Sequence, residues 1–377
     1  MKKNNEIIIR RALISDINKL ALFFIKAYGK NTIFQNKEFL MYYFDSFNNE
    51  TQPFYNSLIA INSNNDIVSH YGGLFYKLKI KNKIVTNIWG VNAYTLPEWR
   101  GKKINSQIVN FIHKNNESNA VIGMPSNAPF FYKKLNYNIF NKKTLKRYIY
   151  IYDSKAFEIS EKLGYDKKKI GELLKINNNK TNDIDTKKIV PLTKENYTEF
   201  NYNLNIDSLT TTFRNVDFLG WRIFNNPYIN YRVYGFINNN KITSYIVLRE
   251  EELSPTKYTA TRIIDLFGDK EGINNLLNHT IKSCAKNGSI YIDFSMFGVL
   301  YENELLSIGF SKLENNDVCV LPMVTSPIEN RPNHEFIVIQ SKIHNMEVQK
   351  LTSENVYFTR IDGDRDRIAR INQLKQL

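Results

Sequence analysis

The order of strand-like and helix-like patterns in the first 152 residues restricts the fold more than any other feature of this chain. One strand-like run and two helix-like runs come first. Three strand-like runs then follow in succession, NSLIAIN, IVSHYGGLFYKLKI and IVTNIWGVNAYTL, separated by the polar turns SNND and KNK. After them come a helix from Ile104 to Lys114, a short strand, a short helix and the closing strand KTLKRYIYIYD. This order predicts an antiparallel meander that leads into a βαβ unit, and therefore an α/β fold built on an α+β mixed sheet.

The second half of the chain repeats this order of elements without obvious sequence identity. We therefore expect two tandem copies of one fold, the first over residues 1–152 and a second, degenerate copy over residues 189–340. Residues 153–188 lose aromatic side chains and gain Lys, Asn and Asp, which predicts a linker. Residues 341–377 are expected to form a C-terminal arm.

The 377-residue chain carries a formal net charge of +14, which favours a polyanionic partner. Nucleic acid, anionic lipid and a phosphate-rich cofactor all meet this description. The sequence shows no secretory cleavage pattern and no apolar run of about 20 residues, so a cytoplasmic protein without membrane insertion is expected. The two cysteines, Cys284 and Cys319, show no paired spacing, and the sequence shows no zinc-ligand cluster, so neither a disulfide framework nor a metal site is expected.

The loop in TLPEWRGKKINSQIV joins the last strand of the meander to the helix at Ile104. The first turn of a helix presents unpaired backbone N–H groups and the positive end of the helix dipole, and both stabilise an anion. Arg100, Lys102 and Lys103 flank this position. A basic turn after a strand is more often a solvated surface, so the loop indicates a phosphate site only together with its surroundings.

Those surroundings resemble the GNAT family of acyl-CoA-dependent N-acetyltransferases. In that family a loop of the form Arg/Gln-x-x-Gly-x-Gly/Ala is followed by an Asn and then by Ala-x-x-x-Tyr-x-x-x-Gly-Phe. Arg100 and Gly101 match the start of the loop, whereas Lys103 and Asn105 stand in place of the motif glycines. The downstream matches are Asn127, Ala128 and Tyr132, and Asn136 and Tyr137 replace Gly-Phe. The resemblance covers residues 6–152 in the order of elements.

The resemblance implies acetyl-CoA as co-substrate, with its pyrophosphate on the loop and its pantetheine arm in a gap beside the preceding strand. A backbone N–H near Thr95 would polarise the thioester carbonyl. The residues implied in cofactor binding are Ala93, Tyr94, Thr95, Arg100, Gly101, Lys102, Lys103, Ile104, Asn105 and Asn127.

The resemblance also supplies candidates for proton transfer. Tyr132 takes the place of a general acid for the departing thiolate, and the alternative is that it packs as a core aromatic beside Phe130 and Phe131. The acceptor ammonium must lose a proton, which suits a group whose pKa lies near the working pH. His70 is the candidate base, although a lone strand histidine is often structural. Glu98 or a water relay would serve equally well.

The second half has its own implied role. Its counterpart of the loop, FGDKEGINNLL, is acidic, so the second copy is not expected to bind coenzyme A in the same way and is expected to cover the first cleft. The stretch FLGWRIFNNPYINYRVYGF is similar to segments of tandem GNAT proteins from bacterial surface-polysaccharide clusters. That similarity implies a nucleotide-linked amino sugar as acceptor. Trp221, Arg222 and Tyr231 are its candidate contacts, with Tyr228 as the alternative to Tyr231 and Arg232 as the alternative to Arg222. Core packing is the other interpretation of the aromatic residues.

The tail FTRIDGDRDRIAR places Asp362, Asp364 and Asp366 at alternate positions, like the start of a calcium loop. Arg367 occupies the position that requires glycine in such a loop, so calcium is not expected. The stretch is predicted to be an ordered arm or a sugar-contacting loop.

The leading prediction is therefore an acetyl-CoA-dependent N-acetyltransferase with two tandem GNAT-like domains. An aminoacyl transferase of the peptidoglycan-bridge type also pairs two such domains, but it would use aminoacyl-tRNA and would not need the loop at Arg100. A third alternative is a non-enzymatic protein that binds polyanions through a basic face. The sequence contains no aromatic–basic RNA-binding motif, so nucleic acid is not expected as a partner.

Overall fold

The structure is a computed structural model, and the residues that it describes are 7–44, 54–124, 128–140, 145–165, 170–171, 176–177, 186–206, 208–313, 320–325, 328–329 and 336–376. In the first half, the strands are β1 Ile8–Leu13, β2 Phe54–Ile61, β3 Ile67–Phe75, β4 Leu78–Ile80, β5 Lys83–Val85, β6 Asn87–Thr95, β7 Ser118–Met124, β8 Asn138–Phe140 and β9 Leu145–Ile151. The helices are α1 Ile17–Tyr28, α2 Lys37–Phe44, α3 Ile104–Asn115, α4 Pro129–Lys133 and α5 Lys155–Lys162.

In the second half, the strands are β10 Ile189–Leu192, β11 Thr210–Thr212, β12 Arg232–Asn238, β13 Lys241–Glu252, β14 Thr259–Gly268, β15 Ser289–Phe297, β16 Ser311–Leu313, β17 Val324–Thr325, β18 Ile328–Glu329, β19 Phe336–Ser341 and β20 Val356–Tyr357. The helices are α6 Val216–Leu219, which continues as a π-helical turn over Gly220–Phe224, α7 Lys270–Lys286, α8 Glu302–Ser307 and α9 Asn345–Gln349.

Two seven-stranded sheets of the same plan form the molecule. Their strand orders are β1-β2-β3-β6-β7-β19-β8 and β10-β12-β13-β14-β15-β9-β16. In each sheet the fourth and fifth strands are parallel, and a helix joins them: α3 connects β6 to β7, and α7 connects β14 to β15. The predicted α/β fold on a mixed sheet is therefore confirmed, and the chain forms two sheets of the same strand plan.

Each sheet takes its sixth strand from the other half of the chain. Strand β19 lies between β7 and β8 in the first sheet, and β9 lies between β15 and β16 in the second sheet. The expectation that KTLKRYIYIYD closes the first sheet is wrong, because this run forms β9. A cut at residue 152 therefore does not separate the two sheets.

One hydrophobic core extends through both halves. The ring of Trp89 meets Phe358 at a centroid distance of 5.4 Å, and Tyr76 meets Phe218 at 5.0 Å. Strand β15 buries all nine of its residues, as expected for a strand covered on both faces. Helix α5 falls within the segment predicted as a linker and buries Ala156 against the second sheet.

The C-terminal arm crosses from the second half back to the first. A small sheet of order β20-β11-β4-β5 joins strands from both halves to the arm. The backbone of Ile33 then donates to the carbonyl oxygen of Ala369 at 3.1 Å, and Ile371 donates to Asn31 at 3.1 Å. Within the described residues, no helix has the length and apolarity needed to cross a bilayer.

Candidate active site

The parallel strands β6 and β7 separate part-way along their length. Their pairing runs from Asn87 with Ser118 to Gly90 with Val121. Strand β6 nevertheless continues to Thr95, and β7 continues to Met124. Beyond Gly90, the edge of β6 that faces β7 therefore has no strand partner among the described residues. An unpaired strand edge is a template for another extended chain.

Strand β6 carries a bulge where this gap opens. Two of its residues, Asn92 and Ala93, oppose the single residue Tyr71 of β3. Asn92 has a φ of 50°, a left-handed conformation that asparagine adopts more readily than most residues. Both bulge residues line the cavity described below.

His70, the predicted general base, lies beside the bulge but does not line the cavity. Its fully buried ring places Nδ1 3.0 Å from the carbonyl oxygen of Asn92 and Nε2 3.1 Å from Oγ of Ser57. Phe24 and Phe44 pack against the ring at 4.7 and 5.3 Å. Burial lowers the pKa of His70 to about 4. A ring with both nitrogens engaged cannot reach an acceptor amine, so the structure gives His70 the role of holding the bulge.

The loop before α3 leaves the first turn of that helix open. The first backbone hydrogen bond of the helix runs from the amide of Gln107 to the carbonyl oxygen of Lys103, at 3.2 Å. The preceding amides, of Ile104, Asn105 and Ser106, donate to no described residue. Lys103 adopts a φ of 59° at the N-cap. These three N–H groups are the kind of donors that hold a phosphate at a helix N-terminus.

The cations of the loop differ in their surroundings. The Nε of Arg100 donates to the carbonyl oxygen of Thr95 at 3.1 Å, so this guanidinium shapes the loop. The ammonium of Lys102 lies 3.9 Å from the ring centroid of Trp99. Lys103 is exposed and pairs with no acceptor among the described residues. Lys103 is therefore the cation of the loop that is most available to an anion.

Asn105, which replaces a motif glycine, ties the helix to β6. Its Oδ1 accepts from Oγ1 of Thr95 at 3.0 Å, and that hydroxyl lies 2.8 Å from Oγ of Ser69. The side chain thus points toward the strand and leaves the amides of the first turn clear. The backbone of Leu96 completes this end of β6 by donating to Val68 at 3.0 Å.

A cavity of about 700 Å³ fills the gap between the strands. Val121 in its wall belongs to the core cluster beneath α3, whereas Ile122 belongs to the core shared by both halves. Because adjacent residues of a strand point to opposite faces, the cavity passes through the sheet. Its lining residues are Tyr71, Gly90, Val91, Asn92, Ala93, Asn105, Val109, Val121, Ile122, Gly123, Met124, Ala128, Phe131, Tyr132, Asp364 and Arg365.

Tyr132, the predicted general acid, lines this cavity from α4. It is 5% exposed, and its ring meets that of Tyr137 at 5.0 Å. Burial raises the pKa of Tyr132 to about 12, so the phenol keeps its proton at neutral pH. Tyr132 therefore packs as an aromatic of the cluster beneath α3 and also faces the cavity. Asn127, the other predicted residue of this region, lies outside the described residues.

The C-terminal arm closes the opposite side of the cavity. At Gly363, whose φ is 61°, an added Cβ would lie 2.3 Å from Cγ2 of Ile122, so only glycine allows the arm to approach β7 this closely. Asp364 follows; it accepts a hydrogen bond from the Tyr43 hydroxyl and pairs with Nε of Arg367 at 2.6 Å. Asp364 is the only carboxylate among the described lining residues. No cluster of three or more His, Cys, Asp or Glu side chains in the described part of the chain could hold a metal ion.

Sequence reasoning did not place Tyr71, Asp364 or Arg365 in the site. Tyr71 gave no signal beyond its position on a strand next to Gly72. The alternating aspartates of the tail marked that segment as unusual, but the sequence does not indicate which cleft the arm reaches.

Two of the three residues predicted to contact a sugar, Arg222 and Tyr231, hold the arm instead. The Arg222 guanidinium is buried and donates to the carbonyl oxygens of Ile361, Gly363 and Asp366 at 3.0, 3.2 and 3.0 Å. The Tyr231 hydroxyl donates to the Asp366 carboxylate at 2.5 Å. The carbonyl oxygen of Trp221 accepts from Tyr42 at 3.0 Å. None of the three lines the cavity.

The corresponding gap in the second sheet is filled by protein. Strands β14 and β15 pair only as far as Ile263 with Phe294. The Tyr301 hydroxyl donates to the carbonyl oxygen of Gly268 at 2.7 Å and accepts from its amide at 2.9 Å. The side chain of Asp269 caps α7 by accepting from Gly272. A carboxylate thus occupies the helix terminus where the first half has open amides.

No known family profile matches the chain, and no curated protein matches it in sequence. Solved structures match it in fold. A GCN5-related N-acetyltransferase from Kribbella flavida superposes with a TM-score of 0.52 at 10% identity, covering 89% of this chain and 71% of that chain. A probable N-acyltransferase from Enterococcus faecalis gives 0.54 at 10% identity, with 89% and 72% covered. Saccharomyces cerevisiae N-myristoyltransferase with bound myristoyl-CoA gives 0.51 at 9% identity, with 90% and 80% covered. The chain therefore has the fold of the GCN5-related N-acetyltransferases.

Proposed function

We propose that the protein is an N-acyltransferase that moves an acetyl group from acetyl-CoA to the amine of a small acceptor. The observation that carries this proposal is the gap between β6 and β7, which opens a cavity of about 700 Å³ next to the open N-terminus of α3. Structures of the same fold include acyltransferases, one of them with a bound acyl-CoA.

The residues at the phosphate end fit a coenzyme A thioester. The amides of Ile104, Asn105 and Ser106 would donate hydrogen bonds to the pyrophosphate oxygens, and the ammonium of Lys103 would add a charge-assisted contact. These three amides and the Lys103 ammonium are the groups of the predicted loop that the structure leaves open. Arg100 would act mainly by keeping the loop in shape, since its Nε is engaged by Thr95.

The residues along the gap fit the remaining, amide-containing arm of the same molecule. The free edge of β6 beyond Gly90 would pair with that arm as with an added strand. Two buried polar atoms in the wall, the Tyr71 hydroxyl and the side-chain nitrogen of Asn92, have no hydrogen-bond partner among the described residues. Buried polar groups are rarely left unpaired, so these atoms favour a polar ligand in the cavity.

When bound, the co-substrate supplies an acyl thioester. Tyr132 holds a proton at its phenol oxygen and delivers it to the departing sulfur. Asp364 enters from the other side of the sheet and attracts the acceptor ammonium to the cavity. The apolar side chains of Val91 and Val109 exclude water from the space between these two groups.

The proposal names a small amine and does not extend to a nucleotide-linked amino sugar. That acceptor rested on Trp221, Arg222 and Tyr231. None of the three lines the cavity, and the last two hold the arm. A sugar amine remains one member of the panel that a test should include.

Binding and turnover test the proposal separately. The melting temperature of the protein is measured with acetyl-CoA, coenzyme A and bulk tRNA, and thiol release is measured with amino sugars, their nucleotide derivatives, polyamines and peptide amines. Acetyl-CoA at about 100 times its dissociation constant should stabilise the folded state by roughly 2.7 kcal/mol. Indifference to both coenzyme A forms would remove the proposal. Stabilisation by tRNA alone would favour an aminoacyl transferase.

A further inference from the structure

Tyr71 is a buried tyrosine in the wall of the proposed active site. Neither the fold nor the sequence gives its hydroxyl a structural role. It lies on β3 and is 1% exposed. Its hydroxyl makes no hydrogen bond of normal geometry with any described residue, and the side chain lines the cavity. Burying an unpaired hydroxyl lowers stability, so such a group in a cavity points to a function there.

The neighbouring strand makes room for this hydroxyl. An added Cβ at Gly90 would lie 2.0 Å from the hydroxyl oxygen of Tyr71 and 2.5 Å from its Cζ. Gly90 is also the last residue of β6 that pairs with β7. Only glycine at this position lets the phenol reach the point where the two strands part.

The phenol of Tyr132, the proposed proton donor, enters the same cavity from α4. Burial raises the pKa of Tyr132 to about 12, and the nearby Tyr71 hydroxyl opposes this rise. The other titratable group that faces Tyr132 is Tyr137, and the charged groups of the cavity, Asp364 and Arg365, come from the arm. Tyr71 is thus the neighbour suited to stabilise a phenolate at position 132.

We propose that Tyr71 is a positioning residue for the acid step of the acyl transfer: its hydroxyl donates to the Tyr132 oxygen once that oxygen has given up its proton. The C–N bond to the acceptor forms, the C–S bond breaks, and the Tyr132 proton forms the S–H bond of the released thiol. The attacking nitrogen loses one proton to solvent, and the Tyr132 phenolate regains one from solvent. The inference rests on the proposed function of this site.

The test compares Tyr71→Phe, Tyr132→Phe and the double variant. A hydrogen bond to a charged group corresponds to roughly a ten- to hundredfold change in rate, so Tyr71→Phe should lower kcat by that factor and leave KM for acetyl-CoA unchanged. Its melting temperature should stay close to that of the wild type, because the deleted hydroxyl makes no hydrogen bond of normal geometry in the resting protein. In the Tyr132→Phe background, Tyr71→Phe should cause no further loss of kcat.

Tyr137→Phe is the matched control in the same cluster. The Tyr137 hydroxyl lies 2.8 Å from Nε2 of His113 and donates to Asn119, so its removal should lower the melting temperature. Its kcat should stay close to that of the wild type. The experiment thereby separates a tyrosine hydroxyl that stabilises the fold, that of Tyr137, from one that acts in the reaction, that of Tyr71.

A readout without turnover keeps this inference distinct from the proposed function. A fluorinated tyrosine, whose phenol ionises nearer neutrality, is placed at position 132, and its ionisation is followed by fluorine NMR. Tyr71→Phe should move the midpoint to higher pH, and Tyr137→Phe should not. An unchanged midpoint, an unchanged kcat in Tyr71→Phe, or an additive loss in the double variant would each overturn the pairing. Absence of any coenzyme A binding by the wild type would instead overturn the proposed function.

Discussion

His70 and Tyr132 are both buried titratable side chains of the first half, yet their surroundings give them different roles. The ring of His70 is enclosed by phenylalanines, and its two nitrogens meet Asn92 and Ser57. The ring of Tyr132 is enclosed on one side only and faces a cavity on the other. The motif position of Tyr132 and the place of His70 on a strand beside the gap made each a candidate for proton transfer, and access to the cavity separates them.

The pH dependence of stability tests the role of His70. Its pKa is about 4 in the folded chain and 6.5 ordinarily, so between these values the unfolded chain binds a proton that the folded chain does not. The contribution is fully present above pH 6.5 and is lost as the pH falls, by roughly 3 kcal/mol at pH 4. Urea unfolding of the wild type and His70→Gln at pH 7 and pH 4 measures it, and the variant should lose that much less on acidification.

The enzymatic activity of the same His70→Gln variant tests the alternative, in which His70 is the general base. If His70 only holds the bulge, the pH profile of kcat/KM should keep its shape in His70→Gln. Disappearance of an ionisation near pH 6 to 7 from that profile would restore His70 as the base.

At the scale of the element, α3 shows how a helix N-terminus stays open without the motif glycines. The sequence predicts a helix from Ile104 to Lys114, and the structure has Ile104–Asn115. Lys103 itself adopts the positive φ that a glycine would supply, and Asn105 turns its side chain toward Thr95. Backbone geometry, which the motif letters only approximate, is what keeps the three amides open.

Charge reversal on this helix tests the site with an internal control. Lys103→Glu places a negative charge where the phosphates are proposed to bind, and Lys114→Glu makes the same change at the other end of α3. Titration calorimetry should show acetyl-CoA affinity reduced about tenfold or more by the first variant and almost unchanged by the second, with a difference that shrinks as salt is added. Equal affinities in the two variants would place the phosphates elsewhere.

Local patterns predicted these elements because their signals lie within a few residues. The turns, the apolar periodicity of α3 and the Arg-Gly loop are all short-range features. The exchange of β9 and β19 is not a short-range feature. Each run has the composition of a buried strand that would fit either sheet. Which sheet it joins depends on contacts between residues far apart in the chain, such as Ile122 with Ile337, which are more than 200 positions apart.

At the scale of the whole molecule, the arm makes the two halves one functional unit. It is anchored on the second half by a buried ion network in which Arg214 pairs with both Asp265 and Asp362. It then presents Asp364 to a cavity built by the first half. The arm and the first half therefore line one cavity with residues more than 200 positions apart in the chain.

Arg222 tests this dependence. Its guanidinium holds three carbonyl oxygens of the arm, so Arg222→Met should lower the free energy of unfolding by about 2–4 kcal/mol. Arg232→Met, which removes a half-exposed pair with Glu250, should cost about 1 kcal/mol or less. Because Arg222 acts on the arm and not on the cofactor loop, its loss should also raise KM for the acceptor while leaving acetyl-CoA affinity intact. An equal loss of affinity for both substrates would show that the arm stabilises the whole sheet and does not build the acceptor side specifically.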